Sequence, residues 1–154
     1  MQTYPSPLAR ATGIALIVLP LLALALKFVS FGWMTVFLLY AVQIVLAVQC
    51  FFVKRDLLGG ARMRATTVAW VSVIGMVLLG ITMPDGGDAA SGSTLQIWLG
   101  AYGENGAAVH AATDTLTVIL ALVSVIAWVV GWAWLMVEWI GAHARIRRAQ
   151  LGLG

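Results

Sequence analysis

Charge is scarce in this sequence: Asp, Glu, Lys and Arg make up 10% of its 154 residues, against about 25% in soluble domains. Hydrophobic residues make up 62%. A chain this short cannot hide that much apolar surface from water, so lipid must serve as part of its solvent. Reactive side chains are scarce too. The one cysteine, Cys50, has no partner for an intramolecular disulfide, which excludes a dithiol mechanism within the chain. The two histidines, His110 and His143, fall at opposite ends of the last apolar stretch, so a haem held by both is excluded. Nucleophile, base and orienter are not found together at one depth, and no metal or nucleotide motif stands out. The expectation is a non-enzymatic protein without a cofactor or a nucleic-acid partner.

Long apolar runs are what the sequence does have. Four of them, about residues 8–29, 33–53, 65–83 and 116–140, match the ~20 residues needed to cross a bilayer. With no water in the hydrocarbon to satisfy backbone groups, each is predicted to be a helix, and no stretch alternates as a barrel strand would. Arg10, the first apolar run and Ala23-Leu24-Ala25 also fit a cleaved leader, but the segment is taken as a retained helix, kinked at Pro20. The predicted fold is a single-domain, all-α integral membrane protein. Its architecture is an antiparallel four-transmembrane-helix bundle with a short amphipathic helix in the outer loop.

Basic residues set the direction of the spans. Arg10, Lys54, Arg55, Arg62, Arg64, Arg145, Arg147 and Arg148 fall on one side, leaving Lys27 at the far end of the first span. The 84–113 loop has no Lys or Arg and carries Asp85, Asp88 and Glu104. Both termini and the 54–64 loop are therefore expected in the cytoplasm, the basic residues facing anionic lipid headgroups. Arginine outnumbers lysine seven to two and Ala, Gly, Val and Leu dominate. This composition fits a GC-rich bacterial genome, hence a bacterial plasma membrane. In the outer loop, Ser93-Thr94 leads into Leu95, Ile97, Trp98 and Leu99, the pattern of a capped interfacial helix with Trp98 and Tyr102 at headgroup depth; a lid over the bundle mouth is the alternative. Asp85, Asp88 and Glu104 match no calcium loop and are expected to be a solvated acidic stretch.

The candidate functional residues are the polar groups at membrane depth. On the fourth helix, steps of three and four link Asp114, Thr117, Ala121, Ser124, Trp128, Gly131, Leu135, Glu138, Ala142 and Arg145. That seam is predicted to face the bundle interior. The same steps on the second helix link Tyr40, Gln43, Ala47, Cys50 and Lys54, and on the third Ala65, Ala69, Ser72 and Gly75 or Met76. Tyr40, Gln43, Ser72, Thr117 and Ser124 are thus the expected interior polar groups. An outer cluster of Lys27, His110 and Asp114 is predicted, with a Lys27–Asp114 ion pair; simple capping by Thr113 or Asp114 and a snorkelling Lys27 compete with it. Glu138 is the candidate inner-mouth carboxylate, either paired with Arg10, Arg62, Arg64 or a C-terminal arginine, or acting as a proton or cation acceptor. His110 and Glu138 are ~42 Å apart along the helix and cannot share a site. The functional expectation is an accessory, assembly or scaffold subunit working as a homo-oligomer or with a membrane-protein partner. An oligomeric channel, transporter component or holin-like pore is second.

Overall fold

The computed structural model describes residues 7–54, 63–86 and 92–152. It is all-helical. In chain order come α1 (Pro7–Lys27), a 3-10 turn (Phe28–Ser30), α2 (Trp33–Lys54), α3 (Met63–Thr82), α4 (Thr94–Trp98) and α5 (Gly106–Gln150). Among the described residues four helices, α1, α2, α3 and α5, are long and apolar enough to cross a membrane. α1 opens on Pro7, where a missing N–H costs nothing, and runs through the buried Pro20 without ending. α5 is 45 residues long, about 67 Å at the helical rise, so it continues well beyond the predicted 116–140 span at both ends.

α3 is the central element and packs most extensively on α5 and α1, while α2 packs chiefly on α1. Leu16, Ala69, Val73, Leu135 and Trp139 form one core cluster, and Ala23, Leu38, Val42 and Met76 a second. Small residues bring the helices together. A methyl group at Gly80 would sit 2.5 Å from the Ala23 carbonyl oxygen, and one at Gly131 would sit 3.0 Å from the Ser72 nitrogen. The α1–α3 and α3–α5 contacts are therefore backbone against backbone, a close approach that small residues allow.

α5 buries Thr117, Ala121, Ser124, Gly131, Leu135, Trp139 and Ala142. Glu138, expected on this seam, is only half-buried, and Trp139 takes its place. The cause is geometric: a straight helix has 3.6 residues per turn, so a face counted at 3.5 drifts off register after several turns. On α2 the correction is larger. Tyr40 (61% exposed), Gln43 and Ala47 face outward, and the buried face is Thr35, Leu38, Val42, Val45 and Gln49. In a helix this apolar, polarity alone does not decide which face turns inward. The packing surface of α1 decides it here.

Gln49 is 1% exposed, and its Oε1 has no hydrogen-bond partner among the described residues. A buried acceptor left unpaired costs about 1–3 kcal/mol. Gln49→Met, of similar volume, is therefore expected to raise the thermal midpoint in detergent; a lowered midpoint would contradict the burial of a bare acceptor.

Candidate functional site

The densest polar constellation lies where the end of α1, the start of α2, the exit of α3 and the α4 segment converge. At its centre is Lys27, whose side chain is 0% exposed. An ammonium has three protons to donate, and all three have acceptors: Ser30 Oγ at 3.0 Å, the Met83 carbonyl at 2.7 Å and Asp85 Oδ2 at 3.3 Å.

Asp85 answers a need of α2. Four N–H groups at a helix start lack partners within the helix, and the residue preceding Trp33 is Gly32, which has no side chain to cap them. Asp85 supplies the cap from elsewhere in the chain. Its Oδ1 accepts from the Met34 amide at 2.9 Å, and its Oδ2 accepts from the Thr35 amide at 3.1 Å and the Thr35 hydroxyl at 2.7 Å. A side chain at Gly32 would collide with this carboxylate, so the bare glycine makes room for it. The negative charge also suits the positive end of the helix dipole. Burial pushes the Asp85 carboxyl upward, but the Thr35 hydroxyl, the Met34 amide and the Lys27 charge outweigh it and hold the pKa below its ordinary value.

α4 closes the constellation. Ser93 and Gln96 form a reciprocal capping box at its start, and Gly100, at φ +93°, turns the chain after it. The Thr94 hydroxyl donates to the Leu26 carbonyl at 3.0 Å and lies 3.1 Å from Ser30 Oγ. Its single proton is thereby used, so Ser30 is the donor of that pair. Gln96 Nε2 donates to Thr113 Oγ1 at 3.2 Å, tying α4 to α5. Asp85 and Gly92 exchange two backbone hydrogen bonds, of 3.0 and 3.2 Å. The result is a buried network in which each ammonium proton has an acceptor and both carboxylate oxygens have donors.

No family model, curated protein or solved structure matches this chain. The geometry therefore has to speak for itself.

Several sequence expectations are corrected by it. Lys27 pairs with Asp85; Asp114 is exposed. Asp85 directly follows the helix that packs on α1, whereas Asp114 lies on an outward face of α5. Asp85 is itself buried at 2% exposure and is not part of a solvated acidic stretch, while Glu104 is exposed and Asp88 lies outside the described residues. His110 is half-buried, with its ring against Gly92. Thr113 does not cap α5, which begins at Gly106; it sits inside the helix and donates to the Val109 carbonyl at 2.6 Å. α4 buries Thr94 and Gln96, while Trp98 and Tyr102 remain exposed.

The other candidates are dispersed. Ser72 is buried and donates across to the Trp128 carbonyl at 3.3 Å, whereas Thr117 and Ser124, also buried, donate within α5 to Thr113 and Leu120. Tyr40 and Gln43 are exposed. The Trp134 indole donates to Glu138 at 3.4 Å, and among the described residues no ion pair joins Glu138 to an arginine. Trp134 also lines an open groove with Arg64, Thr67 and Val68. Arg10, Arg64, Arg145, Arg147 and Arg148 are exposed, Lys54 ends α2, and Arg55 and Arg62 lie outside the described residues.

Proposed function

We propose that this chain is a polytopic membrane protein whose four long helices span in alternating directions, with both termini cytoplasmic. In this reading it serves as a non-enzymatic accessory, assembly or scaffold subunit through helix–helix contacts. The observation that carries the reading is how the buried polar groups are used. Lys27, Ser30, Thr35, Asp85, Ser93, Thr94 and Gln96 bind one another or nearby backbone and lock one end of the molecule. Outside that end, broad apolar faces stay open, including Phe37 and Ile44 on α2 and Val123, Ile126, Val130 and Val137 on α5. A rigid polar end with open apolar flanks suits a part whose work is to be packed against, by lipid and by other membrane helices. The convergence of the α1 and α3 C-termini with the α2 N-terminus supports the alternating directions, and the basic residues support placing that end away from the cytoplasm.

The topology is checked by labelling single cysteines at residues 86 and 152 in sealed vesicles, in a Cys50→Ser background. Opposite sidedness is expected. The role is checked by native mass spectrometry of the protein extracted from its own membranes: a defined complex is expected, and a lone monomer at every detergent concentration would count against it. One observation favours a second reading, an oligomeric channel, transporter component or holin-like pore: Glu138 is half-buried beside an open groove, with no arginine partner among the described residues. Liposome flux abolished by Glu138→Gln would select that reading; absence of flux, or flux indifferent to the substitution, removes Glu138 from any such role.

A further inference from the structure

Gln43 is the eleventh of the 22 residues of α2, the helix midpoint. It is exposed, and its side chain makes no hydrogen bond among the described residues. Around it the outward face of α2 carries Phe37, Tyr40, Ile44 and Ala47. If α2 spans the bilayer, as proposed above, this amide is held at the depth where water is absent. An amide there has lost its hydrogen bonds to water and gained none. Lysine or arginine near a helix end can extend to the interface, but a glutamine at the midpoint is too short to do so. The group calls for a polar partner supplied from outside the chain.

We infer that the Gln43 face of α2 is the interface of a homodimer, with the two Gln43 carboxamides hydrogen-bonded to each other across a two-fold axis normal to the membrane. Two features select a second copy as the occupant. Copies inserted by the same topology signals share one orientation, so their Gln43 side chains lie at one depth. A carboxamide carries both a donor and an acceptor, so two of them satisfy each other reciprocally, as a two-fold interface requires of a residue that meets its own counterpart. Ala47, one turn along, lets the backbones approach, and Phe37 and Ile44 supply apolar contact on the same face. α2 is also the helix with a whole face to offer, because it packs chiefly on α1.

The test uses the full chain in phosphatidylethanolamine–phosphatidylglycerol vesicles at high dilution, with one fluorophore per protomer. Single-molecule photobleaching counts the copies. The wild type is expected to bleach in two steps. Gln43→Leu, which removes the amide from an exposed position and leaves the core untouched, is expected to weaken the dimer about eightfold, the effect of losing two interhelical hydrogen bonds of average strength. Gln43→Asn is expected to retain dimers. In a Cys50→Ser background, Gln43→Cys is expected to cross-link under oxidant, and Val130→Cys on the exposed face of α5 is not. A monomeric wild type, a dimer indifferent to Gln43→Leu, or cross-linking through α5 in place of α2 each overturns the inference, as does a complex in which Gln43 contacts a different protein. Alkaline carbonate extraction of the same vesicles separates the two levels: a chain that is stripped off overturns the membrane reading itself, whereas one that stays embedded but monomeric overturns only the dimer.

Discussion

Asp85→Ala is expected to cost about 3–5 kcal/mol of stability, the usual penalty for leaving a buried charge without its partner. The substitution strands the Lys27 ammonium at 0% exposure and uncaps α2 at Met34 and Thr35. Thermal unfolding of the detergent-solubilised protein measures it, and a loss below about 1 kcal/mol, the scale of an exposed pair, would contradict the network. The double change Lys27→Met with Asp85→Asn is expected to recover part of the loss, because no buried charge is then left to desolvate. The pH dependence has a definite sign. Because the folded-state pKa of Asp85 is depressed, its contribution is fully present above the ordinary aspartate value of about 3.9. It is lost as the pH falls through the lower folded value. The acid limb of the stability profile should accordingly shrink in Asp85→Asn.

The second large effect is expected at Gly80. A Cβ there meets the Ala23 oxygen at 2.5 Å and the Ala23 carbonyl carbon at 3.1 Å. Both are backbone atoms of another helix and cannot rotate away, so Gly80→Ala must part α1 from α3, at about 1–3 kcal/mol for an overpacked core. Gly86→Ala is the control, since a Cβ there meets nothing within 4 Å. Equal midpoints for the two variants would mean that α1 and α3 are not in backbone contact.

The four long helices were legible in the sequence because runs of apolar residues longer than about 18 leave few alternatives. The start of α4 was legible because Ser93 opens a turn whose third residue, Gln96, completes a capping box. The middle of the α5 seam was readable from its small residues; it failed at its ends, where Asp114 and Arg145 are exposed, and at Glu138, where the true helical period hands the position to Trp139. On α2 the polar groups Tyr40 and Gln43 suggest the wrong face, because the inward face is set by the fit of Leu38, Val42 and Val45. The Lys27–Asp85 pair was missed for a different reason. Asp85 stands between Pro84 and Gly86, where sequence pattern reads as a solvated turn, and its partners are distant in the chain. Two signals did point toward it: a lone lysine at the end of an apolar span needs a counter-charge, and a helix preceded by glycine needs its cap from elsewhere.

That borrowed cap has a consequence for how the protein is made. Thr35 and Asp85 are 50 residues apart. At synthesis rates of about 5–20 residues per second, the ribosome supplies Asp85 about 3–10 s after Thr35. α2 is itself complete only at Lys54, so from then until residue 85 the α1–α2 pair lacks the carboxylate that neutralises Lys27 and closes the first turn of α2. Until then neither the Lys27 ammonium nor the Met34 and Thr35 amides have the carboxylate partner they hold in the folded chain. Completion of this end of the molecule thus waits for the residues that follow the third helix.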